Sequence, residues 1–265
     1  MAQVKLGTGA YQERFLQDWN YCLEHFDVVE LQDFIMPDNL DNPKIIDEYL
    51  GMLSGFTGEV TLHGPYLNLV PTSIDNKVKE VAELRYLQAV EAANKLGAHK
   101  LVIHSFYDTT TGYSKYDDLW LEGNVLFWDA FLQKIKGSGV TILLENVHDK
   151  IPDTFVKMLE LLDSSQISTC IDIGHCSCLS KYKPGEWVRR AGGQYFHIND
   201  NDGASDGHLL PGKGNIDFHH VIEELAKLPV VYLIGEVWDG FASQFESLTK
   251  LQEMIAAIGL LSCSN

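Results

Sequence analysis

The chain has 265 residues and a mass of 29.8 kDa, and its 45% hydrophobic and 22% charged residues are the balance of a globular protein, which excludes a disordered or collagen-like chain. Its formal charge is −17, from 37 acids against 20 bases, which speaks against a polyanionic partner, because nucleic-acid binding ordinarily shows a basic patch. No apolar run approaches the ~20 residues a bilayer needs, the start MAQVKLGTGA lacks the basic and apolar parts of a secretory signal, and five cysteines (Cys22, Cys170, Cys176, Cys178, Cys263) form no regular framework, so a reduced, cytoplasmic protein without a membrane partner is expected.

Short aliphatic or β-branched runs alternate with longer periodic stretches. In chain order the pattern predicts strands over Val4–Gly7, Val28–Phe34 and Val60–His63, then a helix over Asp75–Leu96. A strand over Lys100–His104 and a helix over Asp118–Ile135 follow, then a strand over Thr141–Glu145 and a helix over Thr154–Leu162. Strands over Ser168–Ile173 and Gln194–Ile198, a helix over Phe218–Leu225, a strand over Val230–Glu236 and a helix over Ser243–Ile258 complete the series. Alternating strand and helix signals at about 33 residues per unit argue for an α/β architecture, a (β/α)8 TIM barrel. The Pro, Gly and Asp-rich pieces Met36–Pro43, Pro65–Ser73 and Asp200–Asn215 follow strands and read as loops, so one domain over residues 1–265 is expected. A doubly wound open sheet would want a glycine-rich phosphate turn after an early strand, and none is present.

In such a barrel the chemistry sits at the carboxyl ends of the strands. There the sequence places His63, His104, Glu145, Asp172 with His175, His197, Asp206 with His208 in the following loop, and Glu236. A lone histidine at a strand end is ordinarily a hydrogen-bonded side chain. Glu145 and Glu236 close strongly apolar strands, and Asp172 lies between Ile171 and Ile173; a carboxylate in such a place is costly unless paired or coordinated. Imidazoles and carboxylates from six strands converging at one end point to a metal, with zinc, manganese or iron favoured over calcium by the donor set.

Other polar residues have plainer explanations. Cys176 and Cys178 lack a second pair for structural zinc and read as buried thiols. His219 and His220 read as surface residues, Asp217 as a helix N-cap, and His25, His99 and His148 as lying away from the strand-end set. Glu30 could reach a ligand or make a structural hydrogen bond.

These pieces together resemble the xylose-isomerase-like TIM barrel superfamily, which includes sugar phosphate isomerases and epimerases and endonuclease IV enzymes (AP endonuclease family 2). The resemblance rests on His63-Gly-Pro, Leu144-Glu145-Asn146, Asp172-Ile-Gly-His175, His197-Ile-Asn-Asp200 and the loop from Asp206 to Asp217, and covers nearly the whole chain. In the isomerase and epimerase branch it implies one divalent metal (manganese, magnesium, zinc or cobalt) held by Glu145, Asp172, His197 and Glu236. The two glutamates would double as acid and base, and His175 would hold a substrate oxygen. In the endonuclease IV branch it implies three zinc ions on His63, His104, Glu145, Asp172, His175, His197, Asp206, His208 and Glu236.

The first branch has a simple chemical basis. A cation on a carbonyl and its neighbouring hydroxyl stabilises an enediolate, a carboxylate takes the proton, and a second group returns it. Asn146, Lys213 and Trp238 are candidates for holding or capping the sugar. The nuclease branch demands a DNA footprint. The strand-end loops carry five lysines, no arginine and eleven aspartates, although Tyr66-Leu67 resembles a pair that wedges into DNA in that branch. The expectation is therefore a metal-dependent isomerase or epimerase acting on a small-molecule sugar (or a sugar phosphate or keto acid), with the zinc phosphodiesterase as the alternative and a non-catalytic sugar-binding barrel as a second. The only arginines, Arg14, Arg85, Arg189 and Arg190, lie outside those loops, which favours a free sugar or keto acid over a phosphorylated substrate. Exposed barrel helices could support a homo-oligomer.

Overall fold

The eight apolar runs form eight strands: β1 Gln3–Ala10, β2 Val28–Leu31, β3 Glu59–His63, β4 Lys100–His104, β5 Thr141–Glu145, β6 Ile167–Asp172, β7 Tyr195–Ile198 and β8 Val230–Gly235. Each pairs in parallel with the next, and β8 returns to β1 with Gly7 opposite Ile234, closing a (β/α)8 TIM barrel. The structure is a computed structural model and describes residues 2–16, 18–108 and 115–262. Cys263 and part of the loop after β4 lie outside the described residues.

The helices are α1 Gln12–Phe15, α2 Trp19–His25, α3 Pro37–Leu40, α4 Lys44–Met52, α5 Asn76–Leu96, α6 Tyr116–Lys134, α7 Pro152–Leu162, α8 Ile173–Leu179, α9 Pro184–Ala191, α10 Phe218–Leu225 and α11 Phe241–Ser262. Helix α5 shows why the boundaries fall where they do. The Asp75 carboxylate accepts the Lys77 N–H at 2.8 Å, and Gly97 ends the helix in the left-handed region at φ 69°. Among the described residues, no helix is long and apolar enough to cross a membrane.

Strand periodicity of two sorts side chains between two cores. Leu101, Ile103, Ile142, Leu144, Ile171, Phe196, Ile198 and Leu233 face the helices. Val28, Val102, Leu143, Cys170, Tyr195, Tyr232 and Ile234 fill the barrel interior. Two residues beyond six of those interior positions, on the same inward face, stand Glu30, His104, Glu145, Asp172, His197 and Glu236. The polar set is the next layer of the barrel, stacked on an apolar one.

Several boundaries differ from the sequence expectation, and β8 ends at Gly235, one residue before Glu236. β1 runs on to Ala10, because Thr8, Gly9 and Ala10 pair with Val29, Glu30 and Leu31. β2 stops at Leu31 and gives way to a 3₁₀ turn at Asp33–Ile35. β6 ends at Asp172 rather than Ile173, since the Asp172 carboxylate accepts the His175 N–H at 2.7 Å and starts α8 with no intervening loop. Asp217 does occupy the N-cap position of α10, but its side chain makes no capping bond.

Candidate metal centre

All nine strand-end residues converge on the mouth of the barrel, and Glu145 is their hub. Its Oε2 lies 3.1 Å from His63 Nε2 and 3.3 Å from His104 Nε2. Its Oε1 lies 3.3 Å from His197 Nδ1 and 3.4 Å from His175 Nδ1. Glu236 Oε2 approaches His197 Nδ1 at 3.2 Å, and Asp172 Oδ2 approaches it at 3.9 Å. Asp206 Oδ2 sits between His175 Nε2 at 3.2 Å and His208 Nε2 at 3.1 Å. Three sets bring one donor atom from each member within 4.8 Å of one another: Glu145, Asp172, His197 and Glu236; His63, Glu145 and His197; His175, Asp206 and His208.

The imidazoles are aimed. A carbonyl oxygen only accepts, so the ring nitrogen against it must donate. His63 Nδ1 donates to the Gly64 carbonyl at 3.0 Å, His175 Nδ1 to that of Asn146 at 2.9 Å, and His208 Nδ1 to that of Glu236 at 2.7 Å. His197 turns its Nε2 to the buried Glu30 carboxylate at 3.1 Å. In each ring the second nitrogen points at a carboxylate oxygen, and without a proton it too is an acceptor. Two such acceptors face to face require a proton or a cation between them.

The electrostatics agree. Burial pushes the Asp172 carboxyl up to about 7, with Glu236 and Glu145 adding to the push. Burial also acts to raise Glu236, but the His197 imidazole outweighs it and holds the group at about 2. Glu145 is raised by burial and lowered more strongly by His104 and His197, so it stays well below the usual carboxylate range. Burial pulls His208 down, and Asp206 reverses that and lifts it to about 9. Glu236 Oε2 is buried without a hydrogen-bond partner, although it lies 3.2 Å from His197 Nδ1. Aimed ring nitrogens, an unpartnered carboxylate oxygen and three crowded carboxyls fit a divalent cation.

Above the cluster is a cavity of about 1020 Å³. Tyr11, Tyr66, Phe106, Tyr107, Tyr116 and Trp238 contribute to its walls, and among the described residues no lysine or arginine lines it. Asp172 and His197 are fully buried and do not line it.

The other sequence candidates are placed less uniformly. Trp238 is 62% exposed at the rim, with its ring 5.6 Å from that of His208. Asn146 is buried off the cavity: its Oδ1 accepts the Asp172 N–H at 2.9 Å, so it braces β6 from β5 and does not face the open space. Lys213 is exposed and is not among the lining residues. Tyr66 stacks on His104 at 3.8 Å within the wall, while Leu67 is exposed, so the two do not project together as a wedge. His148, which the sequence placed apart, lines the cavity. Cys176 is the buried thiol expected, accepting from Asn146 Nδ2 at 3.3 Å.

Sequence reasoning missed the supports. Gln32 Nε2 donates to Glu236 Oε1 at 2.9 Å, and Asn199 Nδ2 to Asp172 Oδ2 at 2.9 Å. Asp200, fully buried, takes four backbone N–H groups on its carboxylate: Asn201, Gly212, Gly214 and Ile216, at 2.8 to 3.1 Å. That carboxylate shapes the loop carrying Asp206 and His208. The signal for it was the Gly-x-Gly spacing at Gly212 and Gly214; a Cβ at Gly214 would lie 2.4 Å from Asp200 Oδ1.

Comparisons with known proteins agree with this architecture. A family model described as xylose isomerase-like TIM barrel matches residues 19–257. The chain is 26% identical over 198 residues to the uncharacterized protein MJ1311 of Methanocaldococcus jannaschii, covering 71% of this chain and 67% of that protein. Among solved structures it is similar to a D-tagatose 3-epimerase-like protein, with 24% identity, TM-score 0.82, and 97% and 99% of the two chains covered. It is also similar to the TTHB071 protein from Thermus thermophilus, solved after soaking with ZnCl2, with 25% identity, TM-score 0.75 and coverage of 95% and 97%.

Proposed function

Since the chain belongs to the xylose isomerase-like TIM barrel family, we propose that it is a divalent-metal-dependent isomerase or epimerase of an uncharged sugar. One observation carries this reading: Glu145 and Glu236, from separate parts of the strand ring, meet Asp172 and His197 under a cavity that no lysine or arginine lines among the described residues. The first similar structure is described as D-tagatose 3-epimerase-like, and the second came from a zinc soak, which supports both halves of the proposal.

Glu145, Asp172, His197 and Glu236 would hold the ion, which would supply positive charge beside the substrate's carbonyl and hydroxyl oxygens. The protein's own groups do the rest. Glu236, with Oε1 held by Gln32 and Oε2 unpartnered, takes a proton from the carbon next to the carbonyl. Glu145, on the other side and protonated beforehand from solvent, gives up its own proton to the opposite face, which leaves Glu236 protonated and Glu145 ionised until exchange with solvent resets the pair. His175 is tied through Nδ1 to the Asn146 carbonyl and offers Nε2 to a substrate oxygen at the edge of the cavity. The aromatic walls give the sugar's apolar faces something to pack on and exclude water. Walls without a described lysine or arginine disfavour phosphorylated substrates.

A second reading, a three-zinc phosphodiesterase of the endonuclease IV kind, is favoured by a specific observation. Both oxygens of Glu145 face imidazoles, and His175, Asp206 and His208 make a separate donor set. The acidic mouth and the packed Tyr66 weigh against a DNA substrate. Two measurements separate the readings. Wash-in of solvent deuterium at a sugar carbon with about one metal per chain supports the first; three zincs with cleavage of an abasic-site duplex and no exchange supports the second.

A further inference from the structure

Strand β2 contributes nothing to the three donor sets, yet two inward polar residues on and just after it touch members of them. Glu30 is fully buried, and each of its oxygens lies 3.1 Å from His197 Nε2. Its Oε2 also accepts the Tyr195 hydroxyl at 2.8 Å, and that hydroxyl shares a 2.7 Å bond with Thr61. Gln32 is two residues on and so points the same way. Its Nε2 donates to Glu236 Oε1 at 2.9 Å and reaches Glu30 Oε1 at 3.5 Å. Gly9 on β1 leaves room for it, since a Cβ there would lie 2.6 Å from the Gln32 amide nitrogen.

The chemistry of these contacts differs from that of a buried polar pair. A carboxylate oxygen accepts, so Glu30, with both oxygens on Nε2, holds the His197 proton there and turns Nδ1 toward the donor set. The same contact makes the imidazole a stronger donor to a cation. Gln32 occupies one oxygen of Glu236 and leaves the other open. Two of the four proposed ligands are thereby oriented from behind by one stretch of chain.

We infer that Glu30 and Gln32 are positioning residues that set how tightly a divalent cation binds at Glu145, Asp172, His197 and Glu236. Glu30 acts through His197, and Gln32 acts through Glu236. The inference rests on the metal-dependent reading above.

The test is zinc affinity of the full chain, measured by competition with a chromogenic chelator, together with the visible spectrum of the cobalt-loaded protein. Glu30→Ala is expected to weaken zinc binding by about 10- to 100-fold and to alter the cobalt bands, with Gln32→Leu toward the lower end of that range. Glu30→Gln, which keeps an acceptor oxygen near Nε2, is expected to recover part of the loss. Tyr195→Phe removes only the hydroxyl that steadies Glu30 and is expected to cost a few-fold. A merely structural Glu30 would lower the melting temperature and leave zinc affinity and cobalt spectrum unchanged, which overturns the inference. Should Glu30→Ala not fold, Glu30→Gln and Tyr195→Phe decide by the same criterion. A wild-type chain that binds neither zinc nor cobalt overturns the metal reading and the inference together; a wild-type chain that binds them beside unaffected variants overturns only the inference.

Discussion

The two ends of the barrel treat their inward carboxylates in opposite ways. At the lower end Glu59 is ion-paired with Lys5 and, at 2.9 Å, with Lys100, and it accepts the Tyr232 hydroxyl at 3.1 Å on each oxygen. Both ammonium groups also lie over the Tyr232 ring, at 5.0 and 4.5 Å. Partial burial acts to raise the Glu59 carboxyl, but the two lysines prevail and hold it at about 2. At the mouth, three carboxyls share imidazoles whose charge depends on a proton, and one of them, Asp172, is pushed up to about 7. Permanent cations close a carboxylate site on itself. Titratable ligands leave it able to take an ion, and that difference separates the stabilising end from the chemical end.

The contrast can be broken most forcefully by exchanging one glutamate at each end. Glu145→Gln is expected to reduce deuterium wash-in by about 10³-fold or more while the melting temperature stays within a few degrees. Glu59→Gln is expected to leave wash-in unchanged. An active Glu145→Gln removes that residue from proton transfer.

A second comparison uses pH. Asp149, buried at the mouth, accepts from the Ser105 hydroxyl and from the Val147 N–H, and burial pushes its carboxyl from 3.8 up to about 6. The folded state therefore binds the proton more tightly than the unfolded one. The associated stability is complete below about pH 4 and is lost as pH rises through about 6, a change of about 3 kcal/mol. Asp149→Asn should be more stable than wild type at pH 8, with the difference vanishing near pH 4 in urea titrations. An equal gap at both values would show that burial is not the cause.

Metal should act on the mouth alone. Free zinc at about 100 times its dissociation constant is expected to stabilise the fold by about 2.7 kcal/mol, roughly 5–10 °C in melting temperature, reversed by a chelator. The smallest effect belongs to the lower end. Because Glu59 has a 36% exposed side chain, Glu59→Gln is expected to cost about 1 kcal/mol or less, and less still at high salt. Its depressed carboxyl gives stability present above about 4.5 and lost as pH falls through about 2, opposite in sign to Asp149. Salt-independent melting of Glu59→Gln relative to wild type would remove the ionic account.

The barrel was legible because its strands are written as apolar runs with period-two side-chain direction. His104, Glu145 and His197 follow Val102, Leu143 and Tyr195 by two residues and must share their face. The supports were not legible. Gln32 lies in a segment that reads as a continuing strand, and nothing in its neighbours signals that Gly9 clears its path to Glu236. His148 lines the cavity together with Val147 of the same loop after β5, a tertiary fact with no local signature. Asp172 shows both sides. Its carboxylate was conspicuous between two isoleucines, but its duty as the cap of α8 depends on a backbone turn that periodicity does not encode.

The four amide hydrogens gathered by Asp200 have a consequence for how this protein can change over time. The loop that presents Asp206 and His208 is held at its base by main-chain atoms, and its outermost residues, Asp202 to Ser205, are exposed. Substitution at that tip leaves the clamp untouched, so new side chains can be tried next to Asp206 without disturbing the donors beneath. A fixed frame with a replaceable edge is a ready route to divergence in what the barrel admits.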